Sequence, residues 1–169
     1  VNTQGTHPHV YLTMDTTTLY DGTGSAAWVT AEEALDVTCL QDITVNNSTG
    51  IFSWTDFCSE DMNKITTPAD NSVSTNMVID STVFFGDGTV PPLTALDYGV
   101  NGLSATKQYV QWVLVMNGDL TTPTIGAQWY RGLGYITSIA PTVSPDSPVW
   151  ISPMEIAVTG DMTVGTVAS

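Results

Sequence analysis

The sequence predicts a mainly β fold, an antiparallel β-sandwich or barrel with one short α-helix and a long inter-strand loop. Three observations lead there. The last third holds three strand-like segments in succession, YVQWVLVMN (109–117), AQWYRGLGYITSIAP (127–141) and VWISPMEIAVTGDMTV (149–164), with little charge to interrupt them. Val, Ile, Thr, Trp and Tyr dominate these segments and NGD and SPDSP turns separate them, which suits an antiparallel meander rather than βα units. Two earlier segments, 35–45 and 73–85, alternate apolar and polar residues as half-buried strands do. Helical spacing occurs only in 93–103, at Leu93, Leu96 and Val100.

The elements follow in chain order. Residues 1–8 are expected to form an N-terminal arm, and 9–15 a short strand. Residues 16–24 (TTTLYDGTG) read as a turn-rich loop, and the acidic, Ala-containing stretch 31–35 as one helical turn. In 35–45, Val37, Cys39, Ile43 and Val45 share one face, with Asp36, Thr38, Asp42 and Thr44 on the wet one. Residues 46–72 form a long excursion carrying Phe52, Trp54 and Phe57, and loops of that length in compact domains are functional or mobile. In 73–85, Val73, Thr75, Met77 and Ile79 oppose a mixed face of Ser74, Asn76, Asp80 and Thr82. GDGTVPP (86–92) ends that strand, and Pro92 suits the first turn of the helix. Three closing strands and a C-terminal arm (165–169) complete a single domain spanning 1–169.

Composition narrows the function. Seventeen acidic residues stand against three basic ones, Lys64, Lys107 and Arg131, for a net charge of −14. Such a surface lacks the basic patch that nucleic-acid binding requires. Two readings of the acidity stay open: solubility or a salty environment, and a surface that DNA passes without sticking. No apolar run reaches the roughly 18–20 residues of a membrane helix. The first residues lack the basic start and apolar core of a signal peptide, so the chain is not secreted by that route or the signal is already gone.

Catalytic and metal motifs find little support. Asp15, Asp21, Asp87 and Asp119 sit in turns, without the D-x-[DN]-x-[DN]-G spacing of a calcium loop, and are expected to stabilise those turns. His7 and His9 alternate as a metal pair could, but no further ligand stands at a recognisable spacing, so an arm is the simpler reading. The pairs Glu32–Glu33 and Glu60–Asp61 diverge as neighbours, which argues against a carboxylate dyad. No nucleophile elbow, P-loop or dinucleotide fingerprint is present. The chain is therefore read as a non-enzyme with no cofactor. Asn46 and Asn47 each begin a formal glycosylation sequon, which arises easily by chance in so Ser/Thr-rich a chain. If Asn47-Ser48-Thr49-Gly50 closes a hairpin, Val45 opposes Phe52, Ile43 opposes Trp54 and Cys39 opposes Cys58. That leaves both a disulfide and two reduced thiols open. Trp112, Trp129 and Trp150 read as core, while Trp28 and Trp54 lie near loops, as interface anchors or a sugar-stacking platform would.

Taken together, the arm and first strand, two long strands enclosing a long loop, one short helix and three closing strands resemble the major tail tube protein of long-tailed, lambda-like bacteriophages. The local match is WYRGLGYITSIAP (129–141), similar to the F/Y-x-G-x-[VY]-[ST]-S-I stretch of that family, followed by TGDMTVG (159–165). The resemblance implies a structural virion protein, made in the host cytoplasm, whose rings, usually hexameric, stack into a hollow tube that DNA traverses without specific binding. Implied partners are further copies of the chain and other tail proteins at the tube ends, with no membrane. On that reading Asp36, Thr38, Asp42, Thr44, Asp80 and Thr82 face the lumen, and Phe52, Trp54 and Phe57 contact the neighbouring ring. The rival class is a carbohydrate-binding or cell-surface β-sandwich that presents its Trp residues to glycans.

Overall fold

The computed structural model describes residues 7–37, 40–54, 63–67, 70–146 and 149–168. Its elements are β1 (His9–Thr13), α1 (Ser25–Ala31), β2 (Leu35–Val37), β3 (Leu40–Asn46), β4 (Gly50–Trp54), β5 (Asn63–Thr67), β6 (Asn71–Val78), α2 (Ser81–Phe85), α3 (Ala95–Ala105), β7 (Tyr109–Val115), β8 (Gln128–Ile139) and β9 (Ile151–Thr166). Seven strands form one antiparallel sheet in the order β2-β1-β7-β8-β9-β6-β3, and β4 and β5 form a separate pair. The mainly β class read from the sequence is the class observed.

The sheet bends over on its two longest strands. β8 offers 129–135 to β7, whereas β9 offers 151–158 to β6, and the β8–β9 ladder joins the two halves. The register of that ladder shifts between Arg131 and Leu133 and again between Ile136 and Ser138. Such bulges bend and twist a strand locally. β2 and β3 stand at opposite ends of the strand order, yet Val37 and Leu40 are three residues apart, so their Cα atoms lie within about 11 Å. The two ends of the sheet come near each other, and its strands share one core.

That core holds Val10, Leu12, Leu35, Val37, Val73, Met77, Trp112, Leu114, Ile136, Met154 and Ile156, joined by Phe84 of α2 and by Val100 and Leu103 of α3. A second apolar cluster covers part of the sheet's other face. There Tyr11, Val113, Val115 and Trp129 pack with Tyr20, Trp28 of α1, Leu120, Ala127 and Val167. β7 is therefore buried on both faces, which explains its nearly unbroken apolar sequence YVQWVLV. β6, covered on one face only, alternates strictly, NSVSTNMV.

Several expectations are corrected. The segment 35–45 does not run as one strand with a single partner: β2 pairs with β1 and β3 with β6, so one stretch serves both ends of the sheet. The segment 73–85 is strand only to Val78, because Asp80 caps α2 and turns the chain into a helix. The NSTG hairpin register does not form. Val45 opposes Val73 and Ile43 opposes Thr75, while Phe52 opposes Ile65 and Trp54 opposes Asn63. Physically, β6 offers β3 a longer alternating partner with Val73 and Met77 already buried. Thr38, Cys39, Phe57 and Cys58 lie outside the described residues.

Three helices replace the single one expected, among the described residues. The helical turn expected at 31–35 does not form there: α1 runs from Ser25 and ends at Ala31, and Leu35 already begins β2, whereas the expected 93–103 helix is α3, entered by a Thr94–Asp97 capping box. The described residues of the expected C-terminal arm lie against the sheet and the first loop. Thr166 ends β9, the amide of Val167 donates to Ala127 O (2.8 Å), and that of Ala168 to Gly22 O (2.7 Å).

Gln111 ties the first loop to the sheet. Fully buried, it accepts from the Tyr20 amide (2.9 Å) and donates to Asp15 O (3.0 Å) and Thr18 O (3.1 Å). It thus supplies the hydrogen bonds that an irregular segment cannot make with itself. Replacing it by Leu keeps the volume and strands these backbone groups, so Gln111→Leu should lower unfolding free energy by about 2–4 kcal/mol in urea titration. A loss below about 0.5 kcal/mol would contradict this role.

Candidate assembly surface

The acidity of the chain divides into two populations. The first consists of aspartates that fold their own turns, most in a D-x-T pattern. The Asp15 carboxylate accepts from Thr17 N and Oγ1 (both 2.7 Å) and from Thr18 N, and Asp21 accepts from Thr23 N and Oγ1. Asp87 accepts from Thr89 N, and Asp119 from Thr121 Oγ1 and from Thr122 N and Oγ1. Asp80 accepts from the amides of Thr82 (3.0 Å) and Val83 (3.2 Å) as the N-cap of α2. Hydrogen bonds to the charged form favour it. The Thr17 hydroxyl and amide hold Asp15 well below the usual carboxylate range, the Thr23 hydroxyl and amide lower Asp21, and the Leu93 and Thr94 amides lower Asp97. At Asp119 burial pushes upward, but the Thr122 amide and the Thr121 and Thr122 hydroxyls outweigh it.

His9 makes the one ion pair among the described residues, its Nδ1 lying 3.0 Å from Asp36 Oδ1. That hydrogen bond raises the imidazole above its ordinary value against the lowering effect of burial. Among the described residues no three His, Cys, Asp or Glu side chains are placed to hold a metal ion.

The second acidic population lies on the uncovered part of the sheet. α1, the loops and the C-terminal residues cover β1, β7 and the adjoining parts of β8 and β9, but among the described residues no second cluster covers β3, β6, the first half of β9 and the end of β8. The outward row of β6, Ser72, Ser74 and Asn76, pairs with Ala157, Glu155 and Pro153 on one side and with Asn46, Thr44 and Asp42 on the other. Ser138 opposes Glu155, and Tyr135 opposes Ala157. Small polar side chains make this face low. It holds a shallow groove of about 330 Å³ bordered by Asp42, Thr44, Ser74, Asn76 and Glu155. Asp42 is braced there by Asn76, whose amide donates to Oδ1 (3.1 Å) and whose Nδ2 donates to Oδ2 (2.9 Å).

The six residues read as a lumen-facing set therefore part company. Asp42 and Thr44 stand together on the bare face. Asp36 belongs to β2 at the other end of the strand order, opposite Tyr11 and bonded to His9. Asp80 and Thr82 belong to the cap and first turn of α2. Sequence reasoning placed Ser74 and Asn76 on the face opposite Val73 without counting them in the lumen set, and it missed Ser72 and Glu155. The alternation of Glu155 with buried Met154 and Ile156 carried the signal, but which face was bare did not follow from it.

Of the loop residues, Phe52 and Trp54 lie on β4, within a two-stranded hairpin rather than a loop. Ile51 (61% exposed), Ile65 (52%) and Trp54 (39%) leave this hairpin apolar at its surface. Trp28, offered as an anchor, is buried against Tyr20, with ring centroids 5.1 Å apart, whereas Trp150, read as core, is exposed.

No protein-family model and no curated protein matches this chain. Solved structures match its fold. A chain from the tail of an empty gene transfer agent particle with C6 symmetry aligns over 92% of this chain and 95% of its own, at 13% identity and a TM-score of 0.56. A chain from the virion of a native gene transfer agent particle aligns over 79% of this chain and 89% of its own, at 13% identity and TM-score 0.55. A chain of the six-fold symmetrised baseplate of the anti-feeding prophage aligns over 100% of this chain and 99% of its own, at 9% identity and TM-score 0.51. The fold is one found in phage-like tail particles, as the resemblance in the sequence implies.

Two measurements test the local assignments. Asp80→Ala removes the α2 cap and should cost about 0.5–2 kcal/mol in chemical denaturation; an unchanged midpoint would refute the capping role. The raised His9 value means its pair with Asp36 stabilises the fold below about pH 6.5 and loses that contribution as pH climbs through the folded value. His9→Gln should therefore be less stable than the parent by under about 1 kcal/mol near pH 6, the gap closing near pH 9. A gap of equal size at both pH values would exclude the linkage.

Proposed function

We propose that this chain is a structural virion protein that polymerises as stacked rings, hexameric in number, into the hollow tail tube through which phage DNA passes. The observation that carries this reading is the bare face of β3, β6, β9 and β8. Among the described residues it is a sheet surface left uncovered while the rest of the same face is buried, and its residues on β3, β6, the first half of β9 and the end of β8 include Asp42 and Glu155 but no Lys or Arg. In a ring such a face suits the channel wall. Low polar side chains leave room for a duplex, and carboxylates offer phosphates no partner. The neighbouring folds come from particles with C6 or six-fold symmetry, which supports six copies per ring.

The lumen-facing set is then Asp42, Thr44, Ser74, Asn76 and Glu155, with Asp36, Asp80 and Thr82 assigned to structural roles. Partners are other copies of the chain and tail proteins at the tube ends, and the site of action is the virion. The role is non-enzymatic and no cofactor enters it. No helix among the described residues is long and apolar enough to cross a membrane.

Negative-stain microscopy of concentrated protein should show rings or tubes, and a strictly monomeric species under every nucleating condition would overturn the proposal. Bands of carboxylates along the bore act on DNA over a screening length of about 10 Å in ordinary salt. Asp42→Lys with Glu155→Lys, both at exposed positions, should leave folding and polymerisation nearly intact and slow DNA ejection from reconstituted particles. Ejection at the parental rate would remove these residues from the channel wall.

A further inference from the structure

Four places in the chain set an Asp or Asn directly before a glycine: Asp21–Gly22, Asp87–Gly88, Asn101–Gly102 and Asn117–Gly118. Such pairs are open to intramolecular attack, because glycine has no Cβ to hinder the approach of its own nitrogen to the preceding side-chain carbonyl. The reaction needs three further things: an electrophilic carboxamide, a backbone that can bring the nitrogen to Cγ, and an amide not already engaged as a donor. The fold distributes these unequally over the four pairs.

The two Asp–Gly pairs lack the electrophile. An ionised carboxylate resists attack, and both are engaged as acceptors, Asp21 from Thr23 N and Oγ1 and Asp87 from Thr89 N. Asn101 has the carboxamide but not the backbone. It lies within α3, between the buried Val100 and Leu103, and the non-helical residue inside that element is Gly99. Helical torsions point the Gly102 N–H along the helix axis, away from a side chain that projects outward.

Asn117–Gly118 meets all three conditions. Asn117 is exposed in the loop that follows β7, and Gly118 has a φ of 93°. Among the described residues neither the Asn117 carboxamide nor the Gly118 amide has a hydrogen-bond partner, although Gly118 is itself buried. A buried N–H without an acceptor is costly, and ring closure onto Cγ removes that hydrogen. The turn cannot dispense with the glycine, since a Cβ there would lie 2.9 Å from Thr124 Oγ1 at a left-handed φ.

We propose that Asn117 is a self-modification site at which the chain deamidates through a cyclic imide, with water as the co-reactant. The Gly118 nitrogen bonds to Asn117 Cγ, the Cγ–Nδ2 bond breaks, and Nδ2 leaves as ammonia with the proton from Gly118. Water then adds to one of the two imide carbonyls. Opening at Cγ gives aspartate, and opening at the main-chain carbonyl gives isoaspartate, whose backbone runs through Cβ and Cγ. Neither step changes an oxidation state. Both products add a negative charge close to Asp119 in the chain. Isoaspartate also lengthens the main chain just before Leu120, whose amide donates to the buried Tyr11 hydroxyl (3.0 Å).

The test ages the full-length native chain in mildly alkaline buffer, then digests it with pepsin and maps the peptides by mass spectrometry. The peptide carrying Asn117 should gain about 1 Da, and do so about tenfold faster than the peptide carrying Asn101. In guanidinium chloride the two sites should convert at similar rates, which assigns the difference to the fold. An isoaspartyl methyltransferase with a labelled methyl donor should mark the aged parent, and Asn117→Gln should lose most of that label, because glutamine would have to close a slower six-membered ring. Asn117 left intact while the denatured chain converts overturns the site. So does Asn101 converting as fast in the native chain, the same tenfold preference in denaturant, or full label in Asn117→Gln.

Discussion

The structure depends on the bent ladder between β8 and β9. These are the longest strands, and they join the two halves of the sheet, because β8 gives its early residues to β7 and β9 gives its early residues to β6. Two register shifts let the ladder turn. Two Trp–Gly pairs fix β8 on both of its edges: Trp112 of β7 lies opposite Gly132, and Trp129 lies opposite Gly165 of β9. A Cβ on Gly132 would come within 2.7 Å of the Trp112 ring, and one on Gly165 within 2.5 Å of the Trp129 ring. The indoles therefore lie where side chains on the facing strand would otherwise stand. Glycine weakens a strand by itself, and covering it with a buried indole offsets that cost. Trp112 faces the enclosed core and Trp129 the second cluster, so the two pairs anchor opposite faces of the same sheet.

From that bend comes an asymmetry of faces. The loop 16–24, α1 and the residues after β9 close over one part of the outer surface, held by Gln111 and by the Tyr20–Trp28–Trp129 contacts. The other part stays open and polar. Net acidity alone did not identify it. Many of the aspartates are hydrogen-bond acceptors in turns, where Thr amides and hydroxyls do for the carboxylate what a basic residue does elsewhere. The charge that distinguishes the open face rests on Asp42 and Glu155.

Local chemistry was legible in the sequence. The alternation of 73–78, the unbroken apolar run of β7, the helical spacing near 93–103, the turn-forming aspartates and the class of the fold all follow from side-chain periodicity and turn propensity, which act over a few residues. Pairing was not legible. Whether Val45 meets Phe52 or Val73 depends on which partner buries more apolar surface once the whole sheet exists, and a short loop signal cannot decide that. Nor could the sequence show that 35–45 divides between two ends of a sheet, since both pieces keep the same alternation. Asp36, Asp42 and Asp80 looked alike as wet residues on alternating segments. Only the tertiary structure separated them into an ion-pair partner of His9, a residue of the open face and a helix cap, because each depends on a neighbour remote in sequence or on where a strand stops.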